Sequence, residues 1–230
     1  MSDSSRPSGL PTRRISPPER ETLRAGTKLY RIHDRNYRAD AFKTSVVDAH
    51  FGGGRFDSTL NAVYPYLYAA PEPGTVIAET LLRGLPFDPG RSRILPNKTV
   101  SKYCFSEVEL AEDVTLLSLC TMRGLLAVGQ TGWLVQCEQP EYPFTRRVGH
   151  WLRDQAPWAQ GFVWLSKRNQ GERSMILFGD RFPAPQQPGG VTPIVRQTAQ
   201  PSIDFADDAG ITWLNDRLAQ FRMAVRSKSH

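Results

Sequence analysis

The chain has 230 residues, of which 40% are hydrophobic, 23% charged and 10% aromatic, with 18 glycines and 18 prolines. That composition fits one large, loop-rich globular domain and excludes a fibrous or wholly disordered protein. The formal charge of +6 would raise nucleic acid as a partner, but the surplus sits at the two ends: between Leu29 and Asn215 there are nineteen basic and nineteen acidic groups, which argues against a groove that tracks a phosphate backbone.

Residues 1–25 are rich in Ser, Pro and Arg without hydrophobic periodicity, and read as a flexible basic arm. They lack the apolar core of a secretory signal, and no apolar run approaches a membrane span of ~20 residues, so a cytoplasmic protein that does not enter membranes is expected. The fold begins near Gly26. Thr27 to His33 alternates, with Leu29, Arg31 and His33 opposite Tyr30 and Ile32, which predicts a strand. Phe51-Gly52-Gly53-Gly54-Arg55 is a turn whose glycines permit left-handed torsions and a close backbone approach to a partner. Pro65 to Ala70 reads as a strand, and Pro73-Gly74 opens a helix over Val76 to Arg83 that Gly84 closes, with Glu79 on the face of Val76 and Leu82.

Lys98 to Leu110 and Val114 to Leu119 read as adjacent strands, and Thr121 to Val128 and Thr145 to Gln155 as helices. Gly161 to Ser166 and Met175 to Phe178 fit buried strands joined by a loop at 167–173. Leu214, Leu218, Phe221 and Val225 recur at helical spacing. The domain expected is residues 26–185, followed over 186–230 by a Pro/Gly-rich linker and a helix packed on it, in an α+β fold.

The familiar chemical signatures are missing: no Walker loop, no nucleophile elbow and no zinc-protease motif, and Asp57 stands where a dinucleotide fingerprint needs its third glycine. The histidines and the three cysteines show no ligand spacing, so no metal is expected. Glu107 and Glu109 share one side of a strand and form a candidate acid/base pair.

What remains, in chain order, is Leu29-Tyr30-Arg31-Ile32, Gly53-Gly54-Arg55-Phe56, Leu67-Tyr68-Ala69-Ala70 followed by Ala78-Glu79, and Gly161 to Ser166 leading into Ile176-Leu177-Phe178. This order resembles the RES domain family, named for its Arg, Glu and Ser, over residues 27–180. The resemblance implies an ADP-ribosyltransferase-like mixed β-sheet core with flanking helices. It implies a bacterial toxin that degrades NAD as a glycohydrolase or phosphorylase, or transfers ADP-ribose, with NAD as substrate and no metal. An Xre-type helix-turn-helix antitoxin and a homo-oligomer are the implied partners. Many members have Trp-Asn where this chain has Phe56-Asp57, which places an extra carboxylate near the phosphate site.

Under that resemblance Glu79 is the anion beneath the oxocarbenium-like ribose. Arg31 and Arg55 with the Gly54 turn hold the pyrophosphate, Tyr68 stacks on the nicotinamide, and Ser166 binds the substrate's amide or phosphate. Glu79, Arg31 and Tyr68 form the catalytic set; Arg31, Arg55, Gly54, Tyr68 and Ser166 bind NAD. Each residue has an ordinary alternative: Glu79 pairing with Arg83 at i+4, Arg31 pairing with a structural carboxylate, Tyr68 as one face of a half-buried strand, Ser166 as a satisfied strand-end hydroxyl. Two other functions stay open, an ADP-ribosyltransferase using Glu107 and Glu109, and a binding module whose basic arms hold a partner.

Overall fold

The computed structural model describes Leu10, residues 16–85, Asp88, and residues 90–182 and 194–226. The first strand, β1 (Arg20–Leu23), lies inside the stretch expected to be a flexible arm. It is ordered because it pairs antiparallel with β6 (Val114–Ser118) and because Arg20 stacks on Trp158 at 3.9 Å. The remainder of the arm, Leu10 apart, lies outside the described residues up to position 15, as does 183–193 of the expected linker.

The alternation from Thr27 onward becomes β2 (Lys28–Asp34), with Leu29, Arg31 and His33 buried and Tyr30 and Ile32 half-buried. It pairs along its whole length with β5 (Tyr103–Leu110). β5 also pairs with β9 (Val195–Gln197) and β10 (Ile203–Asp204), completing a four-stranded sheet. A second sheet runs β1, β6, β7 (Gly161–Leu165), β8 (Arg173–Phe178) and β3 (Tyr66–Ala69). β5 and β6, expected to be neighbours, therefore belong to different sheets. Their short connection turns the chain from one layer to the next, because Val108, Leu110, Val114 and Leu116 all face the core between the sheets.

That core takes Leu29 and Val108 from one sheet and Leu67, Ala69, Val163, Met175 and Leu177 from the other. The outer face of the five-stranded sheet packs on helices α3 (Met122–Ala127), α4 (Trp133–Gln136) and α5 (Tyr142–Gln155). The outer face of the four-stranded sheet packs on α1 (Pro73–Leu81) and α6 (Asp208–Leu218). Four layers result, each burying one apolar face of its neighbour. The sheets touch where Tyr30 and Ala70 exchange backbone hydrogen bonds of 2.7 and 3.0 Å.

Helix α1 starts as the sequence predicts: Pro73 fills the first turn, and the side chain of Glu72 accepts from the Thr75 N–H at 2.8 Å. It ends at Leu81, three residues before Gly84. A further short helix, α2 (Asn97–Val100), precedes β5 within the stretch read as one strand. Near the C-terminus the helical spacing breaks at Leu218: Met223–Val225 forms β11, parallel to β4 (Arg93–Leu95). The chain reverses through Arg222, whose φ of 52° no continuing helix permits.

Candidate active site

Glu79 projects from the last turn of α1 into a cavity of about 130 Å³ lined also by Ile32, Gly54, Arg55, Tyr68, Arg83 and Tyr142. Its carboxylate is held from behind. Ser166, 1% exposed at the end of β7, donates from Oγ to Glu79 Oε1 at 2.5 Å and accepts from the N–H groups of Arg168 and Asn169 at 3.1 and 2.9 Å. The same loop grips the start of α1, where Asn169 Nδ2 donates to Thr75 Oγ1 at 3.0 Å and to Glu72 Oε2 at 3.3 Å. Glu79 Oε2 accepts no hydrogen bond among the described residues, so one carboxylate oxygen is fixed and the other is free. The expected pairing of Glu79 with Arg83 is absent as an ion pair: Arg83 Nε donates at 3.0 Å to the backbone carbonyl of Glu79 instead.

The glycine turn borders the same cavity through Gly54 and Arg55. Gly52 and Gly53 adopt φ of 58° and 73°, the left-handed torsions the sequence predicts. Their carbonyls point at guanidinium groups. Arg146, 1% exposed on α5, donates from Nη1 to Gly52 O at 2.7 Å and Gly54 O at 3.3 Å, and from Nη2 to the carbonyls of Asp48 and Ala49 at 3.1 and 3.3 Å. Arg83 Nη1 donates to Gly53 O at 3.2 Å.

Arg55 lines the cavity with its guanidinium engaged inside the protein. Its guanidinium is buried and turned to the carbonyls of Leu134 and Cys137, the Cys137 sulfur and the Tyr142 hydroxyl, at 2.9 to 3.3 Å. It ties α4 and α5 to the turn. Tyr68 sits where expected. Its hydroxyl donates to Asp57 Oδ1 at 2.8 Å and accepts from the Phe56 N–H at 3.0 Å. Burial, and then the adjacent Asp57 carboxylate, push the phenol well above its ordinary pKa.

Tyr68 and Ile32 also line a second, larger cavity of about 460 Å³, with Arg31, His33, Lys43 and Tyr66. Arg31 has no carboxylate partner among the described residues; Nη1 donates to the carbonyls of Ala39 and Ala41 at 2.7 and 2.9 Å, and Nε is buried without a partner. Burial brings its guanidinium pKa down to about 10. His33, on the same strand face, is lowered by burial and by Arg31.

The structure thus gathers Glu79, Tyr68, Gly54 and Arg55 around one cavity, puts Arg31 in the adjoining one, and keeps Ser166 off both walls. Glu107 and Glu109 line neither cavity, and Glu107 forms an ion pair with Lys28 at 3.0 Å. Sequence reading missed Arg146 entirely and took Arg83 only as a partner for Glu79. Among the described residues no group of His, Cys, Asp or Glu is placed to hold a metal ion, and no helix is long and apolar enough to cross a membrane.

The family model described as RES domain matches residues 28–196. The chain belongs to the RES domain family. No curated protein matches it at a significant level. Among solved structures, this RES domain is similar to a chain of the M. tuberculosis MbcT–MbcA toxin–antitoxin complex, at 14% identity and a TM-score of 0.51, covering 80% of this chain and 86% of that one. That likeness shows the shared mixed α/β fold.

In this RES domain the Phe56-Asp57 pair has a clear packing logic. Phe56 is fully buried and packs edge-on against Phe162 and Trp164, in space that the missing side chain of Gly149 leaves open. Asp57 is 3% exposed and turned toward Tyr68 and Lys43, whose Nζ lies 3.9 Å from Oδ2. The extra carboxylate fixes Tyr68.

Proposed function

We propose that this RES domain cleaves the nicotinamide–ribose bond of NAD. The observation that carries the reading is the asymmetric clamp on Glu79: one oxygen bound by buried Ser166 at 2.5 Å, the other without a donor among the described residues, in a cavity lined by Tyr68 and Gly54. The C–N glycosidic bond breaks with its electron pair on the nicotinamide nitrogen, so a neutral amide leaves and positive charge builds on the ribose. No strong acid is needed. A carboxylate already oriented toward that charge is worth more than one that must reorganise. Tyr68, locked by Asp57 and the Phe56 N–H, offers its ring for the nicotinamide to stack on. The ADP-ribosyl group then passes to water, phosphate or a macromolecular nucleophile.

The toxin–antitoxin setting of the structural relative supports a biological reading in which NAD consumption arrests growth and a protein partner, of helix-turn-helix type in this family, silences it. The cytoplasm, where NAD is abundant, suits such an enzyme. ADP-ribosylation of a protein or nucleic acid is the second reading, and the same Glu79 serves it. The test is nicotinamide release from NAD by the purified protein, with and without phosphate. Glu79→Ala should lower kcat by ~10³-fold or more with the melting midpoint preserved, and a variant that keeps full turnover would remove Glu79 from the reaction.

A further inference from the structure

Of the two cations expected at the substrate's diphosphate, Arg55 spends its guanidinium on Leu134, Cys137 and Tyr142, and Arg31 lines the adjoining cavity with Nη1 on the carbonyls of Ala39 and Ala41, so a further cation at the Glu79 cavity is called for. The glycine turn shows where. The carbonyls of Gly52, Gly53 and Gly54 all accept from guanidinium groups, two from Arg146 and one from Arg83. With the carbonyls drawn to that side, the N–H groups of Gly52, Gly53, Gly54 and Arg55 have no acceptor among the described residues. Successive free amides in a left-handed turn form an anion-binding concavity. Side chains would spoil it: a Cβ on Gly54 would meet Asp57 Oδ1 at 2.5 Å and the Tyr68 hydroxyl at 2.9 Å, and one on Gly53 would meet Arg146 Nη1 at 3.1 Å.

We infer that Arg83 completes this cradle and binds the diphosphate of the dinucleotide directly, an inference that rests on the NAD reading of the site. Of the two guanidinium groups on the turn, Arg146 is buried behind it, whereas Arg83 lines the cavity with Glu79. Arg83 Nε and Nη1 are anchored on Glu79 O and Gly53 O at 3.0 and 3.2 Å, which fixes the plane of the fork. Nη2 has no acceptor among the described residues. A planar fork held at two corners presents the third with little further loss of freedom. The backbone of Arg83 is itself pinned, since Arg168 Nη2 donates to its carbonyl at 2.5 Å. The arrangement places a cation and the glycine turn at the cavity that holds the carboxylate, as a substrate with a cationic ring at one end and a diphosphate in the middle requires.

The experiment is steady-state kinetics of nicotinamide release for the wild type, Arg83→Met and Arg83→Lys, with calorimetric binding of ADP to each. Losing one charge-assisted contact should raise KM for NAD by ~10- to 100-fold in Arg83→Met with kcat changed by less than about threefold, and should weaken ADP binding by the same factor. Arg83→Lys keeps the charge but not the fork, and should fall between. A purely structural role would lower the melting midpoint and kcat and leave KM alone, which would overturn the inference, as would an unchanged KM in Arg83→Met while the wild type turns over. Arg83-dependent ADP binding by a wild type that releases no nicotinamide would retain the cradle and overturn the reaction. Neither binding nor release would overturn both.

Discussion

Two walls of one cavity are built on opposite plans. Glu79 arrives on a nine-residue helix and is gripped by the loop that follows β7, with Ser166, Arg168 and Asn169 acting within four positions of one another. The glycine turn at the same cavity has almost no support of its own; its carbonyls are satisfied by Arg83 and by Arg146, which lies 94 positions away from Gly52 on α5. The carboxylate wall is a local device that a hydroxyl orients. The turn wall is a distant device that buried charge orients, and the two should fail differently.

The sharpest way to break that contrast is Arg146→Met. Removing the guanidinium strands four carbonyls, among them those of Gly52 and Gly54, and should cost about 3–5 kcal/mol, a fall in melting midpoint of roughly 10 °C or more for a chain of this size. Thermal unfolding followed by calorimetry measures it. A midpoint within about 2 °C of the wild type would mean that the turn holds itself, and that the difference between the walls is not real.

Ser166→Ala addresses the other wall and should act mainly on rate. Without Oγ, Glu79 Oε1 keeps only the long hydrogen bond from the Arg168 N–H at 3.4 Å, and the Asn169 N–H loses its acceptor. A carboxylate free to rotate should lower kcat by ~10- to 100-fold and leave KM for NAD within about threefold. If KM rises instead and kcat holds, Ser166 touches the substrate and the positioning role is wrong.

The same contrast explains what the sequence could and could not disclose. The alternation of Leu29, Arg31 and His33, the Pro73 start of α1 and the apolar runs at Gly161 and Met175 each depend on neighbours within a few residues, and each became the expected element. That Glu79 and Tyr68 would lie near one another was legible because strand and helix adjoin in the chain, and both line one cavity. The partners of the Arg55 guanidinium were not legible, because an arginine beside a glycine turn looks alike whether it faces a ligand or, as here, the carbonyls of Leu134 and Cys137. Arg146 gave one usable signal, a basic residue on the apolar side of an amphipathic helix with Val148, Gly149 and Leu152, and its partner could be known only once α5 lay behind the turn. The separation of β5 from β6 was equally hidden, since a short link between two apolar strands suits a hairpin as well as a step between sheets.

The smallest expected effect sets the two walls apart by pH. His33 borders the Arg31 cavity, with Nδ1 donating to Asp34 O at 3.0 Å and Nε2 2.9 Å from Ser106 Oγ; His150 lies on α5 behind the turn, with Nε2 3.3 Å from Asp57 O. Burial lowers both pKa values. Arg31 adds to the effect on His33, and Arg153 and Arg146 add to it on His150, while the Asp57 carbonyl opposes it. A histidine held neutral in the folded protein takes up its proton more readily when unfolded, so its contribution to stability is complete above the unfolded pKa of about 6.5 and is lost as pH falls below it. Melting midpoints measured between pH 7.5 and 5 (an interval spanning that pKa by about one unit or more on each side) should fall toward acid. His33→Gln should remove part of that slope with the turn intact, and His150→Gln should remove part of it at the Arg146 end. A midpoint flat across the interval would show that both rings accept a proton in place, and that neither wall depends on keeping them neutral.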